Sequence, residues 1–198
     1  MNTNSEANLI EKLAHGDEPA FSEIYGRYHN RVYGFVYRMT GNQMIAEDLT
    51  HETFIILIEH PKRYLAERCS LLTFLCAVAR NLVMNQLRRK HNRDVRFDDF
   101  ENFNALESET KQNNPLADLL DKELAAQIDA CIAALPPFQR EVIILREFQE
   151  LSYKEIAKVT EAELSSVKAR LHRARQTLAK ALAAYVTLPK KDKCYELH

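Results

Sequence analysis

The sequence contains no tryptophan, only four glycines, and no uncharged apolar run long enough to cross a bilayer. Its start also lacks the basic residues and apolar segment of a secretory signal. A membrane-spanning helix and a signal peptide are therefore not expected. Alternating valine and isoleucine are hard to find, whereas leucine, alanine, glutamate, lysine and arginine dominate. This composition predicts helices nearly throughout.

The sequence offers little for catalysis or metal binding. Its four cysteines are scattered without zinc-ligand spacing, so we expect free thiols in a reducing cytoplasm rather than metal or redox sites. A glycine-rich phosphate loop, a nucleophile elbow, an H-E-x-x-H motif and a pair of catalytic carboxylates are all missing. We therefore expect no catalytic residue, no metal, no cofactor and no enzymatic activity. The cysteines are Cys69, Cys76, Cys131 and Cys194.

Two helical zones are separated by an acidic one. Residues 1–93 and 116–187 are apolar with a helical period, and residues 188–198 form a polar tail. Residues 94–115 lose that period, are acidic and rich in asparagine, and end at Pro115. The predicted fold is all-α, with two small helical domains joined by a flexible acidic linker.

The second domain carries the pattern of a helix-turn-helix motif. Ser152 and Glu155 form a capping box that begins a short helix, and a polar turn leads into the basic stretch SSVKARLHRAR (165–175). A small helix, a tight turn and a second helix with a basic outer face are typical of a protein that reads duplex DNA. At about 100° per residue, one apolar stripe of this second helix faces the preceding helices. Its members are Leu164, Val167, Leu171, Ala174 and Leu178.

The outer face of the basic helix is the candidate surface for duplex DNA. Arginine is the commonest bidentate reader of guanine, so Arg173 is the candidate for base readout, and flanking cations lie where phosphates would run. An ordinary solvated basic face is the alternative, which the capping box, turn and stripe in register disfavour. The candidate residues are Ser165, Ser166, Lys168, Ala169, Arg170, His172, Arg173 and Arg175.

The helix AEDLTHETFIILIEH (46–60) of the first domain has an acidic face and an apolar face. The acidic face is either an ordinary solvated surface or a dock for a basic partner. Glu47, Asp48, Glu52 and Glu59 form the acidic face, and Leu49, Phe54, Leu57 and Ile58 form the apolar face.

A basic loop and the helix after it suit single-stranded DNA, whose unstacked bases present faces and edges. The loop PKRYLAERCS (61–70) carries cations and a tyrosine, and the helix LLTFLCAVARNLVMNQLRRK (71–90) sets arginine and asparagine among apolar residues. A lone loop tyrosine is more often a packing residue, so that alternative stays open. The candidate residues are Lys62, Arg63, Tyr64, Arg80, Asn81, Asn85 and Arg88.

Taken together, these blocks resemble a known family. AEDLTHETF, FLCAVARNLVMNQLRRK, LPPFQREVIILREFQELSYKEIAKV and SSVKARLHRARQTL are similar, in order and spacing, to the group IV (extracytoplasmic-function, ECF) sigma factors of bacterial RNA polymerase. The resemblance spans roughly residues 18–182. It implies an all-helical, cytoplasmic, non-enzymatic alternative sigma factor that binds core polymerase and directs promoter-specific initiation.

The resemblance also implies roles for the candidate residues. The loop and helix of the first domain would hold the melted minus-ten strand, and the basic helix would read the minus-thirty-five duplex. The acidic linker would follow the RNA path of core polymerase. Further implied partners are the polymerase flap and an anti-sigma factor, which could hold the protein at the membrane. The residues implied to dock on the clamp helices of the largest polymerase subunit are Asp48, His51, Glu52 and Phe54.

The chain departs from the family pattern in both domains. Tryptophan is common where Leu57 or Ile58 and Phe74 stand, and glycine and proline are usual where Glu161 and Glu163 stand. A non-glycine residue in a left-handed turn costs about 1 kcal/mol. Two other functions stay open. One is a stand-alone helix-turn-helix regulator, although no sensory domain precedes the motif, and the other is a degenerate sigma-like interaction protein.

Overall fold

The computed structural model describes residues 3–94 and 115–186, and within these ranges it contains helices and no strand. The predicted all-α fold is thus confirmed. The predicted linker and tail fall almost entirely on residues 95–114 and 187–198, outside the described ranges. The helices are α1 (Thr3–Ala14), α2 (Glu18–Thr40), α3 (Gln43–Glu59), a short 3-10 turn (Pro61–Arg63), α4 (Leu71–Asp94), α5 (Pro115–Ala133), α6 (Pro137–Glu147), α7 (Tyr153–Thr160) and α8 (Leu164–Val186).

The first half of the molecule, residues 3–94, is a bundle in which α2, α3 and α4 pack on one another. Asp17 caps α2 by accepting a 2.8 Å hydrogen bond from the Ala20 N–H. Gly41 ends the helix in the left-handed region at φ 67°, where glycine carries no steric penalty. The chain then turns directly into α3, so α2 and α3 lie side by side and share a core.

The second half, residues 115–186, contains the predicted helix-turn-helix motif. The capping box is confirmed, because the Ser152 hydroxyl accepts from the Glu155 N–H at 3.3 Å and the Glu155 carboxylate accepts from the Ser152 N–H at 2.8 Å. In α8, Val167, Leu171 and Ala174 are buried as the stripe predicted. Leu164 is instead 38% exposed, because side chains tilt towards the helix N-terminus and this first residue of α8 points past the end of the helix.

Glu161, which links α7 to the turn, is held in the left-handed region at φ 52° and ψ 36°. Its backbone N–H ends the helix by donating to the carbonyls of Ala157 and Lys158. The strain expected from the sequence is therefore present. The turn keeps its geometry with a glutamate where glycine would be strain-free.

Glu161→Gly is expected to raise the free energy of unfolding by about 0.5–1 kcal/mol, because it removes the Cβ clash of the left-handed conformation. Urea denaturation of the variant and the wild type measures the difference. Glu163→Gly is the matched control, since Glu163 is not among the described residues at positive φ. A midpoint for Glu161→Gly that is no higher than that of the control would contradict this account of the turn.

The two halves also pack on each other, which the sequence did not predict. Helix α4 lies against α7, and α2 lies against α5 and α6. The candidate DNA-binding elements of both halves therefore belong to one closed body.

Candidate nucleic-acid interface

The loop before α4 is fixed by a buried carboxylate, Glu6, which is 3% exposed. Glu6 accepts hydrogen bonds from the Tyr28 hydroxyl at 2.5 Å, the Tyr64 hydroxyl at 3.2 Å and the Leu71 N–H at 3.0 Å. The Leu71 N–H belongs to the first turn of α4, where a negative charge is favourable. One carboxylate thus joins α1, α2, the loop and α4.

Tyr64 is therefore a packing residue in this structure. It is 5% exposed and meets the ring of Phe74 edge-on, with 5.8 Å between the centroids. Its ring offers no open face to a base in this conformation. The loop cations Lys62 and Arg63, by contrast, are exposed.

Two buried phenols make stability fall at high pH. Burial, with Glu6 as hydrogen-bond partner, raises the pKa of Tyr28 to about 12, and the same causes raise the pKa of Tyr64. Folded protein thus keeps protons that the unfolded chain releases. The resulting stability is fully present below the unfolded tyrosine pKa of 10.0 and is lost as the pH rises through about 12.

Between pH 10 and about 12, the free energy of unfolding is expected to fall more steeply in the wild type than in Tyr28→Phe. One such phenol contributes a slope of up to about 1.4 kcal/mol per pH unit. Urea denaturation at a series of pH values measures both slopes. Equal slopes in the two proteins would show that Tyr28 is not the titrating group.

The candidate residues of α4 divide between two faces. Asn81, Asn85 and Arg88 are exposed, and their spacing of four and three places them on one face of the helix. Arg80 turns the other way, with only 14% of its side chain exposed, and its Nε donates to a Glu141 carboxylate oxygen at 3.0 Å. The exposed candidate residues of the first half are therefore this face of α4 and the loop cations Lys62 and Arg63.

The candidate residues of α8 divide in the same way. Arg170 donates to Glu141 at 3.2 Å and lies over the Phe138 ring, while Arg175 pairs with Glu147 at 2.7 Å. Ser166 and Ala169 are half-buried. Four candidate residues of α8 are exposed and form what we call the outer ridge: Ser165, Lys168, His172 and Arg173.

Glu141 forms salt bridges with one arginine from each half of the molecule. Its side chain is fully buried, with Arg80 of α4 on one carboxylate oxygen and Arg170 of α8 on the other. Burial raises the pKa of Glu141, and the two arginines act in the opposite direction. Sequence reasoning missed both Glu6 and Glu141, because nothing local marks a glutamate whose partners lie so far along the chain.

The surface of α3 differs from the sequence prediction in two residues. Asp48, His51 and Glu52 are exposed as expected, but Phe54 is 2% exposed and belongs to the core. Ile58, assigned to the buried face, is 44% exposed because it shares a face with Ile55 three residues earlier. The outward apolar residues of α3 are Met44, Ile55 and Ile58, at 74%, 50% and 44% exposure.

Other chemistry is sparse in the part of the chain that the structure describes. There, histidine, cysteine, aspartate and glutamate form no group of three that could hold a metal ion. No helix in the same residues is long and apolar enough to cross a membrane.

Two family models match this chain, one in each half of the structure. Residues 24–93 match the family model of Sigma-70 region 2, and residues 125–178 match that of Sigma-70, region 4. The two matches coincide with the two halves of the structure. The chain is therefore built from two regions of the Sigma-70 family.

The relatives of known name are ECF sigma factors, one group within the sigma factors. The ECF RNA polymerase sigma factor SigW of Bacillus subtilis (strain 168) is 32% identical over 180 residues, which cover 87% of this chain and 94% of that protein. SigE of Mycolicibacterium smegmatis is also 32% identical, and this chain covers 66% of its length. The chain belongs to the ECF sigma factors, which are transcription initiation factors.

Solved structures share the fold. The sigma factor RpoE in complex with the anti-sigma factor NepR from Bartonella quintana aligns with a TM-score of 0.68 at 20% identity, over 82% of this chain and 96% of that chain. CnrH in complex with the cytosolic domain of CnrY aligns with a TM-score of 0.62 at 21% identity, over 89% and 96% of the two chains. At such identities the likeness concerns the fold alone.

Proposed function

We propose that this sigma factor, when bound to core RNA polymerase, reads duplex DNA with α8 and holds a melted promoter strand with α4 and the loop before it. The observation that carries the proposal is the outer ridge of α8, which combines exposed cations and hydroxyls on the second helix of a helix-turn-helix motif. The protein catalyses no reaction of its own in this role; it positions the polymerase.

On the outer ridge of α8, different residues are proposed to contact the bases and the phosphates of the duplex. Arg173 is the candidate for bidentate hydrogen bonds to guanine, because its guanidinium is exposed on the outermost line of the helix. Lys168 lies to one side, where a phosphate contact would fix the register without reading sequence. In this conformation the guanidinium of Arg170 forms a salt bridge with Glu141 and stabilises the fold.

The exposed face of α4 suits a single strand. Asn81 and Asn85 carry amides that can donate to and accept from base edges, and Arg88 and Lys62 supply charge for the backbone. Lys62 belongs to the loop that Glu6 holds in place through Tyr64. A fixed surface of this kind lowers the ordering cost of binding a flexible strand.

The outer face of α3 is the candidate dock for the clamp helices of the largest polymerase subunit. Met44 and Ile55 offer apolar area at its centre, and Asp48 and Glu52 offer negative charge. Apolar anchors surrounded by charge are typical of a specific protein interface. His51 lies on the same face, whereas Phe54 supports it from the core.

Two further proposals follow from family membership. Structural neighbours of this chain are solved in complex with an anti-sigma factor or with the cytosolic domain of CnrY, which supports control of this protein by an anti-sigma factor. A sigma factor acts on polymerase and chromosomal DNA, so we infer that this one works in the cytoplasm. A separate expectation comes from the net charge of −1, which gives little long-range attraction for DNA: the free protein is expected to bind duplex promoter weakly.

Arg173→Ala and Lys168→Ala, each assembled with core polymerase, test the ridge. Arg173→Ala is expected to weaken binding by about 1–3 kcal/mol and to relax sequence preference at one upstream position. Lys168→Ala is expected to weaken all sequences alike and to lower the salt slope by about one. Affinities for a set of single-base promoter variants at several salt concentrations separate the two patterns. Uniform losses in both variants would place the groove-facing line elsewhere on α8.

A further inference from the structure

Glu163 places a negative charge beside the proposed DNA-reading surface of the helix-turn-helix motif. It immediately precedes α8, and its carbonyl accepts a backbone hydrogen bond from the Val167 N–H at 3.0 Å. Its side chain is exposed and accepts a 3.4 Å hydrogen bond from the hydroxyl of Ser165, a residue of the outer ridge. The carboxylate therefore lies at the N-terminal part of the recognition helix, which is the part that contacts base edges in such motifs.

Two other carboxylates near α8 are already paired within the fold. Glu141 and Glu147 form salt bridges with Arg170 and Arg175. In the described residues, no salt bridge includes Glu163. The carboxylate of Glu163 is therefore open to a ligand. Near DNA phosphates its charge lowers affinity unless the DNA supplies a hydrogen-bond donor to it.

The donors that a major groove can supply are the exocyclic amines of cytosine and adenine. An ionised carboxylate only accepts hydrogen bonds, so it matches these amines. Guanine presents O6 and N7 and thymine presents O4, and each of these acceptors would face the carboxylate without a proton between them. Adenine carries the acceptor N7 beside its amine, whereas the groove edge of cytosine has the N4 amine and no acceptor. Cytosine is therefore the best match.

Ser165 extends the acceptor surface of Glu163. A hydroxyl alone can read donors and acceptors alike, because its proton rotates. In this structure Ser165 directs its proton to Glu163, which leaves the oxygen lone pairs of Ser165 for the groove. Arg173 follows Ser165 by eight residues, which is about 12 Å along a helix that rises about 1.5 Å per residue. Arg173 and the Glu163–Ser165 pair therefore face different base pairs.

We propose that Glu163 and Ser165 form an acceptor pair that selects a base with a major-groove amine, cytosine above all, at one position of the duplex element read by α8. The inference rests on the proposed function of α8 and adds a specificity-determining residue that precedes the helix. Glu163 rejects guanine and thymine as well as binding cytosine, because specificity is a difference between affinities. Its charge lowers affinity for every sequence and sharpens the choice between them.

Selection from a pool of duplex promoters with a randomised upstream element tests the pair, with the full chain assembled on core polymerase. The wild type is expected to favour cytosine about tenfold over guanine and thymine at one position. Glu163→Ala is expected to reduce that preference to about twofold or less, because the acceptor is gone. Ser165→Ala is expected to weaken the preference at the same position. The position that depends on Arg173 is expected to keep its preference in both variants.

Glu161→Gln is the matched control for charge, compared with Glu163→Gln. Glu161 is exposed and lies in the turn two residues before Glu163. Each variant removes one negative charge near the DNA, so both are expected to raise affinity for all promoters by a similar factor. Only Glu163→Gln is expected to weaken the cytosine preference, because its amide donates as well as accepts.

The outcomes separate this inference from the proposed function of α8. An unchanged base preference in Glu163→Ala, or a wild type that favours cytosine at no position, would overturn the acceptor pair. An equal loss of the cytosine preference in Glu161→Gln would do the same, because charge alone would then explain it. A wild type that selects no preferred base anywhere in the upstream element would overturn the proposed function itself.

Discussion

Phe54→Ala is expected to lower the free energy of unfolding by about 3–5 kcal/mol, because it removes a buried aromatic ring and leaves a cavity. Phe54 is 2% exposed and lies between α2 and α3. The centroid of its ring is 4.9 Å from that of Tyr25. Urea denaturation followed by circular dichroism measures the loss. A loss of that size is a large fraction of the stability of an ordinary domain.

Ile55→Ala is the control, one residue away and about 100° around α3, on the exposed surface of the helix. Ile55 is 50% exposed, so the variant is expected to keep its free energy of unfolding within about 0.5 kcal/mol of the wild type. As an exposed apolar residue at the centre of the proposed dock, it is expected to weaken binding to core polymerase about tenfold, or ~1.4 kcal/mol. A stable Phe54→Ala, or an Ile55→Ala that binds core normally, would show that the two faces of α3 are misassigned.

Glu6→Ala is expected to lower the free energy of unfolding by about 3 kcal/mol, because buried hydrogen-bond donors then lose their acceptor at a cost of about 1–3 kcal/mol each. The donors are the hydroxyls of Tyr28 and Tyr64 and the N–H of Leu71. The loop before α4 is released at the same time. Melted-strand binding is therefore expected to fall more than duplex binding by α8.

Two further variants separate the hydrogen bonds of Glu6 from its position on α1. Glu11→Ala changes an exposed carboxylate on the same helix and is expected to shift stability by no more than about 0.5 kcal/mol. Glu6→Gln keeps one acceptor oxygen and is expected to fall between the wild type and Glu6→Ala. Equal stability of Glu6→Ala and Glu11→Ala would mean that the buried carboxylate does not hold the loop.

Local patterns predicted local structure well. The capping box from Ser152 to Glu155, the left-handed turn at Glu161 and the apolar stripe of α8 each depend on residues within a few positions of one another. Their physics is contained in a short stretch of sequence. The all-α fold and the helix-turn-helix followed from such stretches.

Contacts between residues that are far apart in the chain could not be predicted from the sequence. Glu6 meets Tyr64 and Leu71 across the whole first half, and Glu141 meets Arg80 of the other half. Periodicity places a residue on a helix face but does not say which neighbouring helix covers that face. For the same reason the sequence did not show that Ile58 is exposed on α3 or that Arg80 of α4 pairs with Glu141 of α6.

Run-off transcription with purified core polymerase, this protein and a pool of fragmented host genomic DNA tests directly whether the protein directs promoter-specific initiation. Discrete new transcripts whose upstream regions share two short elements are expected. The Ile55→Ala variant, which stays folded, is expected to give the same transcripts at reduced yield. Stable binding to core without any discrete transcript would contradict promoter recognition and favour a sigma-like interaction protein, and absence of binding to core would contradict the assignment of the α3 surface as well.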